Sequence, residues 1–150
     1  MSVPPIILSM LLLTIGPSQK QLKESDLNTK KGSASYYSQK FEGRKTAFGE
    51  KLDNETLTAA HPTLPHNTLL EITNPQNNKK VVVRVNDRGP FGRTKRVLDM
   101  SRAAAKELDI VRAGVAAIEY KVVGTNGKLF ADLGITKIAD IISGANNHSE

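Results

Sequence analysis

The chain contains no cysteine and no tryptophan among its 150 residues. Without cysteine there is no disulfide framework, no thiolate nucleophile, no cysteine-bound zinc and no lipid attached through a cysteine. Aromatic residues are few, three Tyr and four Phe. Nucleic-acid readers usually interleave aromatics with a clustered basic stripe. Here the net charge is +6, yet the basic residues are scattered: residues 32–123 hold 15 Lys/Arg against 10 Asp/Glu. Such a surface suits an acidic polymer, and it equally suits an ordinary basic soluble domain. The chain also lacks a Gly-x-Ser-x-Gly elbow, a P-loop and a dinucleotide fingerprint. Nucleophilic serine chemistry and nucleotide chemistry are therefore poor matches.

Long apolar runs are scarce. Residues 6–15 form one, too short to span a bilayer, which needs ~20 residues. It fits the apolar region of a secretory signal, so residues 1–18 are read as a signal peptide and the chain as exported. No Lys or Arg precedes the run and no Ala-x-Ala site follows it. The competing reading is a short buried strand or an uncleaved anchor. Residues 19–31 are polar and read as a linker, with the folded part starting at Gly32. The length suits one domain.

What is present is a series of short strands. Residues 33–38, 57–60, 68–73, 80–86, 96–100 and 117–123 carry apolar residues at strand spacing. Residues 68–73 and 80–86 flank the turn-rich Asn74-Pro75-Gln76-Asn77-Asn78 and predict a hairpin. Ser101 is a helix N-cap, and residues 102–108 follow it as one short helix. Several short strands with one small helix predict a mainly β compact barrel rather than a βαβ sheet. After residue 123 the pattern changes, and Ile135, Ile138 and Ile142 recur at helical spacing in a small C-terminal tail.

Three phrases each carry a group that can handle a proton. They are Thr46-Ala47-Phe48-Gly49-Glu50, Leu57-Thr58-Ala59-Ala60-His61-Pro62 and Val85-Asn86-Asp87-Arg88-Gly89-Pro90. All three lie where a strand gives way to a loop, the usual place for chemistry on a rigid scaffold. Apolar neighbours around Glu50 predict a raised pKa and a carboxylic acid able to donate near neutral pH. The plainer reading is an exposed loop glutamate. His61 can polarise a carboxyl or stabilise charge, and equally can be a hydrogen-bonded structural residue. Asp87 can serve chemistry or cap a turn. No metal is expected, because His66 and His148 do not fall at ligand spacing, although His61 with Asp87 stays open as a pair.

Five phrases in series resemble the rare lipoprotein A family. They are Gly32-Ser33-Ala34-Ser35-Tyr36-Tyr37, residues 43–50, residues 57–65, residues 83–91 and Arg96-Val97-Leu98-Asp99-Met100-Ser101. Members are bacterial envelope proteins with a double-psi β-barrel, and some are septal-ring lytic transglycosylases. The resemblance implies a six-stranded barrel over residues 32–123 with pseudo-twofold symmetry. It implies a groove lined by Glu50, His61 and Asp87 as catalytic residues, with Tyr37 and Arg88 contacting sugar. The implied reaction cleaves the MurNAc–GlcNAc bond of peptide-free peptidoglycan strands and leaves 1,6-anhydroMurNAc ends. Protonated Glu50 would be the acid, and no cofactor or metal would be needed. The implied partners are peptidoglycan strands and cell-division machinery, not nucleic acid. The mature chain would be monomeric, without a transmembrane helix, in the periplasm or cell envelope. The rival reading is a non-catalytic, expansin-like glycan-binding barrel; a hydrolase is a weaker third.

The sequence departs from the family in three respects. The lipid-bearing Cys is missing, so lipid anchoring is not expected. Residues 124–150 are too few for the C-terminal peptidoglycan-binding repeat that many members carry. Tyr36 stands where many relatives have Trp.

Overall fold

The computed structural model describes residues 22–134. Its strands are β1 (Lys30–Tyr36), β2 (Thr58–Ala60), β3 (Leu69–Thr73), β4 (Lys80–Asp87), β5 (Arg96–Met100), β6 (Ala116–Thr125) and β7 (Lys128–Leu129). One helix, α1 (Arg102–Glu107), lies between β5 and β6. Single 3-10 turns occur at Glu24–Asp26 and Gln39–Phe41.

The predicted hairpin is β3 with β4, paired antiparallel with Ile72 opposite Val81 and Leu70 opposite Val83. Alternation sends Leu70, Ile72, Val81, Val83 and Val85 into one core. Leu98, Met100, Ile118 and Tyr120 meet them from β5 and β6. Burying one such large apolar side chain stabilises the fold by about 1.5–3 kcal/mol.

Strand order is β1-β5-β2-β4-β3-β6, and a further β1–β6 pairing closes the ring. Two pairs are parallel, β1 with β5 and β2 with β4; the other barrel pairs are antiparallel. Exchanging β1 with β4, β2 with β5 and β3 with β6 carries each pairing onto itself or onto another of the same sense. This is the double-psi β-barrel, with its pseudo-twofold connectivity. Closure leaves no edge among the six barrel strands.

Ser101 caps α1 as expected, its hydroxyl accepting from the Ala104 amide. Such a cap contributes about 1 kcal/mol. At the other end of the helix, Asn74 of the hairpin turn donates its side-chain amide to the Leu108 carbonyl at 2.9 Å. The turn thereby satisfies a helix-terminal carbonyl, and Ala104, Ala105 and Leu108 close the core beneath it.

Three boundaries differ from the sequence reading. β1 begins at Lys30, not Gly32, because Lys30 and Lys31 pair with Tyr120 and Glu119 of β6. Leu22 and Leu27, within the polar stretch, pack against the core. At the far end β6 runs to Thr125 and β7 folds back on it. Gly124 permits that return, since a Cβ there would lie 2.2 Å from the Lys128 carbonyl oxygen. Phe130 then joins the core. The proposed signal and the helical spacing at 135–142 lie outside the described residues.

Candidate active site

Two residues of β4 anchor the loop that carries Glu50. The segment 46–50 is a tight turn: the Thr46 amide donates to the Glu50 carbonyl at 2.7 Å, and Gly49 takes φ +89. Only glycine adopts that φ without strain. Glu50 then forms a bidentate pair with Arg84, 2.7 Å to Oε1 and 2.9 Å to Oε2. His66 Nε2 lies 3.2 Å from the same carboxylate. At the other end of the turn, the Ala47 amide donates to Asp87 Oδ1 at 2.8 Å. One turn is thus clamped to one strand at Arg84 and Asp87.

The expected raised pKa of Glu50 is not what the structure shows. Hydrogen bonding to Arg84, with only partial opposition from burial and added help from His66, holds its carboxyl below the usual range. A paired guanidinium favours the charged form more than nearby apolar atoms disfavour it. Glu50 is held as an anion.

Asp87 reaches the outer face through a bulge. Ala59 pairs with Val85, but Ala60 pairs with Asp87, so Asn86 is the extra residue of β4. Simple alternation would turn Asp87 inward beside Val85. The bulge restores it to the face of Arg84, as bulges beside functional sites often do. Its Oδ1 accepts from the amides of Ala47 and Arg88, and its Oδ2 accepts from the Tyr37 hydroxyl at 2.7 Å.

Tyr37 reaches Asp87 from across the sheet. Its amide donates to the Met100 carbonyl of β5, while its hydroxyl meets Asp87 of β4. β2 lies between those strands, so the ring bridges β2 at Ala60. Ala60 faces outward with Asp87, stays outside the apolar core, and is still only 1% exposed. A small side chain there leaves room for the ring. Burial, then the bond to Asp87 and the charges of Asp87 and Asp99, push the Tyr37 phenol well above its usual value. Tyr37 stays a donor. Ala60→Leu is expected to lift the ring and cost roughly 1–3 kcal/mol from overpacking. A thermal melt checks this; an unchanged melting temperature would show that the ring does not depend on the space above Ala60.

His61 meets Asp87 and its neighbour Arg88 through its backbone. Its amide donates to the Asp87 carbonyl at 3.2 Å, and its carbonyl accepts from Arg88. The imidazole is buried with the residue 6% exposed. Nδ1 accepts from the amides of Thr63 and Leu64, both at 3.0 Å, and Nε2 lies 3.4 Å from the Tyr120 hydroxyl. A neutral ring therefore carries its proton on Nε2. Arg88, expected to contact sugar, also donates to the Leu64 carbonyl and lies over the Phe48 ring at 4.6 Å. Phe48 in turn stacks with His66 at 4.4 Å. Arg88, Phe48 and His66 thus join the Asp87 end of the clamp to Glu50.

The family described as lytic transglycolase matches residues 29–120. The chain belongs to this family. It is 46% identical over 112 residues to the "Endolytic peptidoglycan transglycosylase RlpA" of Haemophilus influenzae, covering 73% of this chain and 39% of that protein. The protein of the same name from Campylobacter jejuni is 48% identical over 96 residues, 64% of this chain and 34% of its own. The chain thus spans well under half of either relative. Among solved structures, a Streptomyces papain inhibitor superposes with a TM-score of 0.53 at 24% identity, covering 65% of this chain and 96% of that one. A point mutant of Clavibacter michiganensis expansin in complex with cellohexaose gives 0.52 at 22% identity, over 65% of this chain and 51% of that one. At such identities the structural likeness speaks for the barrel alone.

In this lytic transglycolase family member, Arg84, Phe48, His66 and Asp99 join the site without a residue type that marks them for it. Arg84 alternates outward among the valines of β4, which is the only local signal it gives. The partners of Phe48 and His66 are set by contacts across loops, and Asp99 joins its near neighbour Arg96 to the distant Ser35. Among the described residues no helix is long and apolar enough to cross a membrane.

Proposed function

We propose that this chain is an endolytic peptidoglycan lytic transglycosylase. Its reaction cleaves the MurNAc–GlcNAc bond of peptide-free strands and leaves 1,6-anhydroMurNAc ends. The observation that carries the reading is the Asp87–Tyr37 pair. One carboxylate oxygen is fixed by two amides, and the other meets a phenol that stays protonated. We assign proton exchange with the substrate to Asp87 Oδ2, the oxygen that no backbone amide holds.

Asp87 passes a proton to the glycosidic oxygen as the C1–O bond breaks. The transition state is oxocarbenium-like at C1. The C6 hydroxyl of the same sugar attacks C1, forms the anhydro ring and returns its proton to Asp87. No water is consumed, and protons balance over the cycle. Tyr37 holds Oδ2 toward the scissile bond. Glu50, ionised by Arg84, supplies negative charge along the groove rather than a proton. His61 positions the loop at Thr63 and Leu64 through its ring.

Incubating the full chain with purified peptide-free glycan strands and reading products by mass spectrometry tests this. Anhydro ends are the expected result. Reducing ends would make the chain a hydrolase and require a carboxylate pair at ~5–5.5 Å or ~6.5–9.5 Å. Co-sedimentation without products would favour the expansin-like binding barrel. One observation favours that second reading: the clamped, ionised Glu50 is suited to holding a loop as well as to chemistry. The substrate requires export, which the apolar run at residues 6–15 supports. Association with cell-division machinery belongs to the same reading and is checked by septal localisation of a tagged chain.

A further inference from the structure

Ala60 has two strand partners on its outward face, Asp87 of β4 and Asp99 of β5. Directly paired residues send their side chains to the same side of a sheet. Two carboxylates therefore flank Ala60, one on each neighbouring strand, with the Tyr37 ring bridging the strand between them. Asp87 is absorbed by the reaction above. Asp99 is not.

Asp99 is held on one oxygen only. Its Oδ1 accepts from the Ser35 hydroxyl at 2.6 Å and from Arg96 Nη1 at 2.6 Å, and Arg96 also donates to Ser35 at 2.5 Å. Among the described residues nothing donates to Oδ2. The Asp99 side chain is largely sheltered yet retains some exposure. A carboxylate fixed by a triad of short bonds on one oxygen, partly exposed and near enough to Tyr37 for its charge to act on the phenol, is built to accept from a hydroxyl. Sugar hydroxyls offer such donors at regular spacing, and a charged acceptor makes those bonds short and strong.

From this we infer that Asp99 is a substrate-binding residue. Its Oδ2 accepts from a sugar hydroxyl of the glycan strand on the side of Tyr37 opposite Asp87, with Ser35 and Arg96 as positioning residues. The inference rests on the proposed glycan substrate but not on its cleavage. It gives the groove two carboxylates with different duties: Asp87 exchanges a proton, and Asp99 holds the strand. The plain structural alternative is that the Arg96–Asp99 pair only pins β5 to β1.

Binding and turnover of peptide-free glycan strands are measured separately for the full chain and for Asp99→Asn, Asp99→Ala, Arg96→Gln and Asp87→Asn. Expected is about tenfold weaker strand binding, or tenfold higher KM, for both Asp99 variants, with kcat changed less. Arg96→Gln should weaken binding by a smaller factor, and Asp87→Asn should lose turnover and keep binding. Thermal melts separate the alternatives: if Asp99 and Arg96 act only on the fold, both variants lose stability equally and folded protein binds as the parent does. Parent-like binding by folded Asp99→Asn overturns the inference. A parent that binds without cleaving overturns the transglycosylase reading and leaves the Asp99 result standing. A parent that does not bind overturns both.

Discussion

Asp87→Asn is expected to lower release of anhydro ends by roughly a thousandfold, within the range for losing a general acid–base group. The amide cannot deliver or take back a proton. The replacement is nearly isosteric, so its remaining oxygen can still accept from the Ala47 and Arg88 amides that now hold Oδ1. The new NH2 then faces the Tyr37 hydroxyl, which can turn from donor to acceptor. The barrel should keep its melting temperature to within a few degrees, and strand binding should persist. Mass spectrometry of the products, co-sedimentation and a thermal melt give the three readouts. Turnover within tenfold of the parent would move the proton chemistry away from Asp87. A Tyr37→Phe companion should fall less, because the carboxyl itself remains.

The second large effect concerns Glu50. Glu50→Gln is expected to lower turnover on the order of a hundredfold by removing an anion near developing positive charge. Arg84→Gln separates an acid from an anion at this position. Without the guanidinium, the Glu50 pKa rises from its depressed state. If Glu50 serves as an anion, the acid limb of the pH–rate profile moves upward and activity at mildly acidic pH falls. If Glu50 were the acid, activity at neutral pH would rise instead, and the role given to Asp87 would have to be withdrawn. Stability follows the same linkage. The folded pKa of Glu50 lies below the ordinary value of 4.5. Its contribution is therefore present above the unfolded pKa and is lost as pH falls through the folded one. The carboxylate is 34% exposed, so the contribution is screened and amounts to at most about 1 kcal/mol. Acid melts of the parent and Glu50→Gln should converge as pH drops.

Much of the barrel is legible in one dimension because its causes are local. Leu70, Ile72, Val81, Val83 and Val85 alternate, and that period alone sends one face inward. The Asn-rich turn between them closes a hairpin. Ser101 before three alanines starts the helix, for the reason any hydroxyl before a helical run does: it satisfies an orphan amide. The phrases that carry Glu50, His61 and Asp87 mark the strand ends and loops from which the candidate site is built. Helical spacing beyond residue 123, by contrast, gave no warning of the β6–β7 return, which depends on the missing side chain of Gly124.

The duties of those residues were not legible, because each depends on a partner far along the chain. The apolar neighbours of Glu50 suggested a protonated acid, yet Arg84, 34 residues away, makes it an anion. Alternation would bury Asp87, yet pairing with β2 bulges the strand at Asn86 and turns the carboxylate outward. His61 looked like a partner for those carboxylates, yet its Nδ1 takes the amides of its own loop. Tyr37 meets Asp87 only because β2 lies between the strands that hold each of them. The sequence by itself determined the strands, the cap, the hairpin and which residues could carry chemistry, since periodicity and capping act within a few residues. Tertiary structure alone decided which carboxylate is held charged, which faces a phenol and which stands across Ala60 from it. Those are properties of pairs, and closure of the barrel is what brings the members of each pair together.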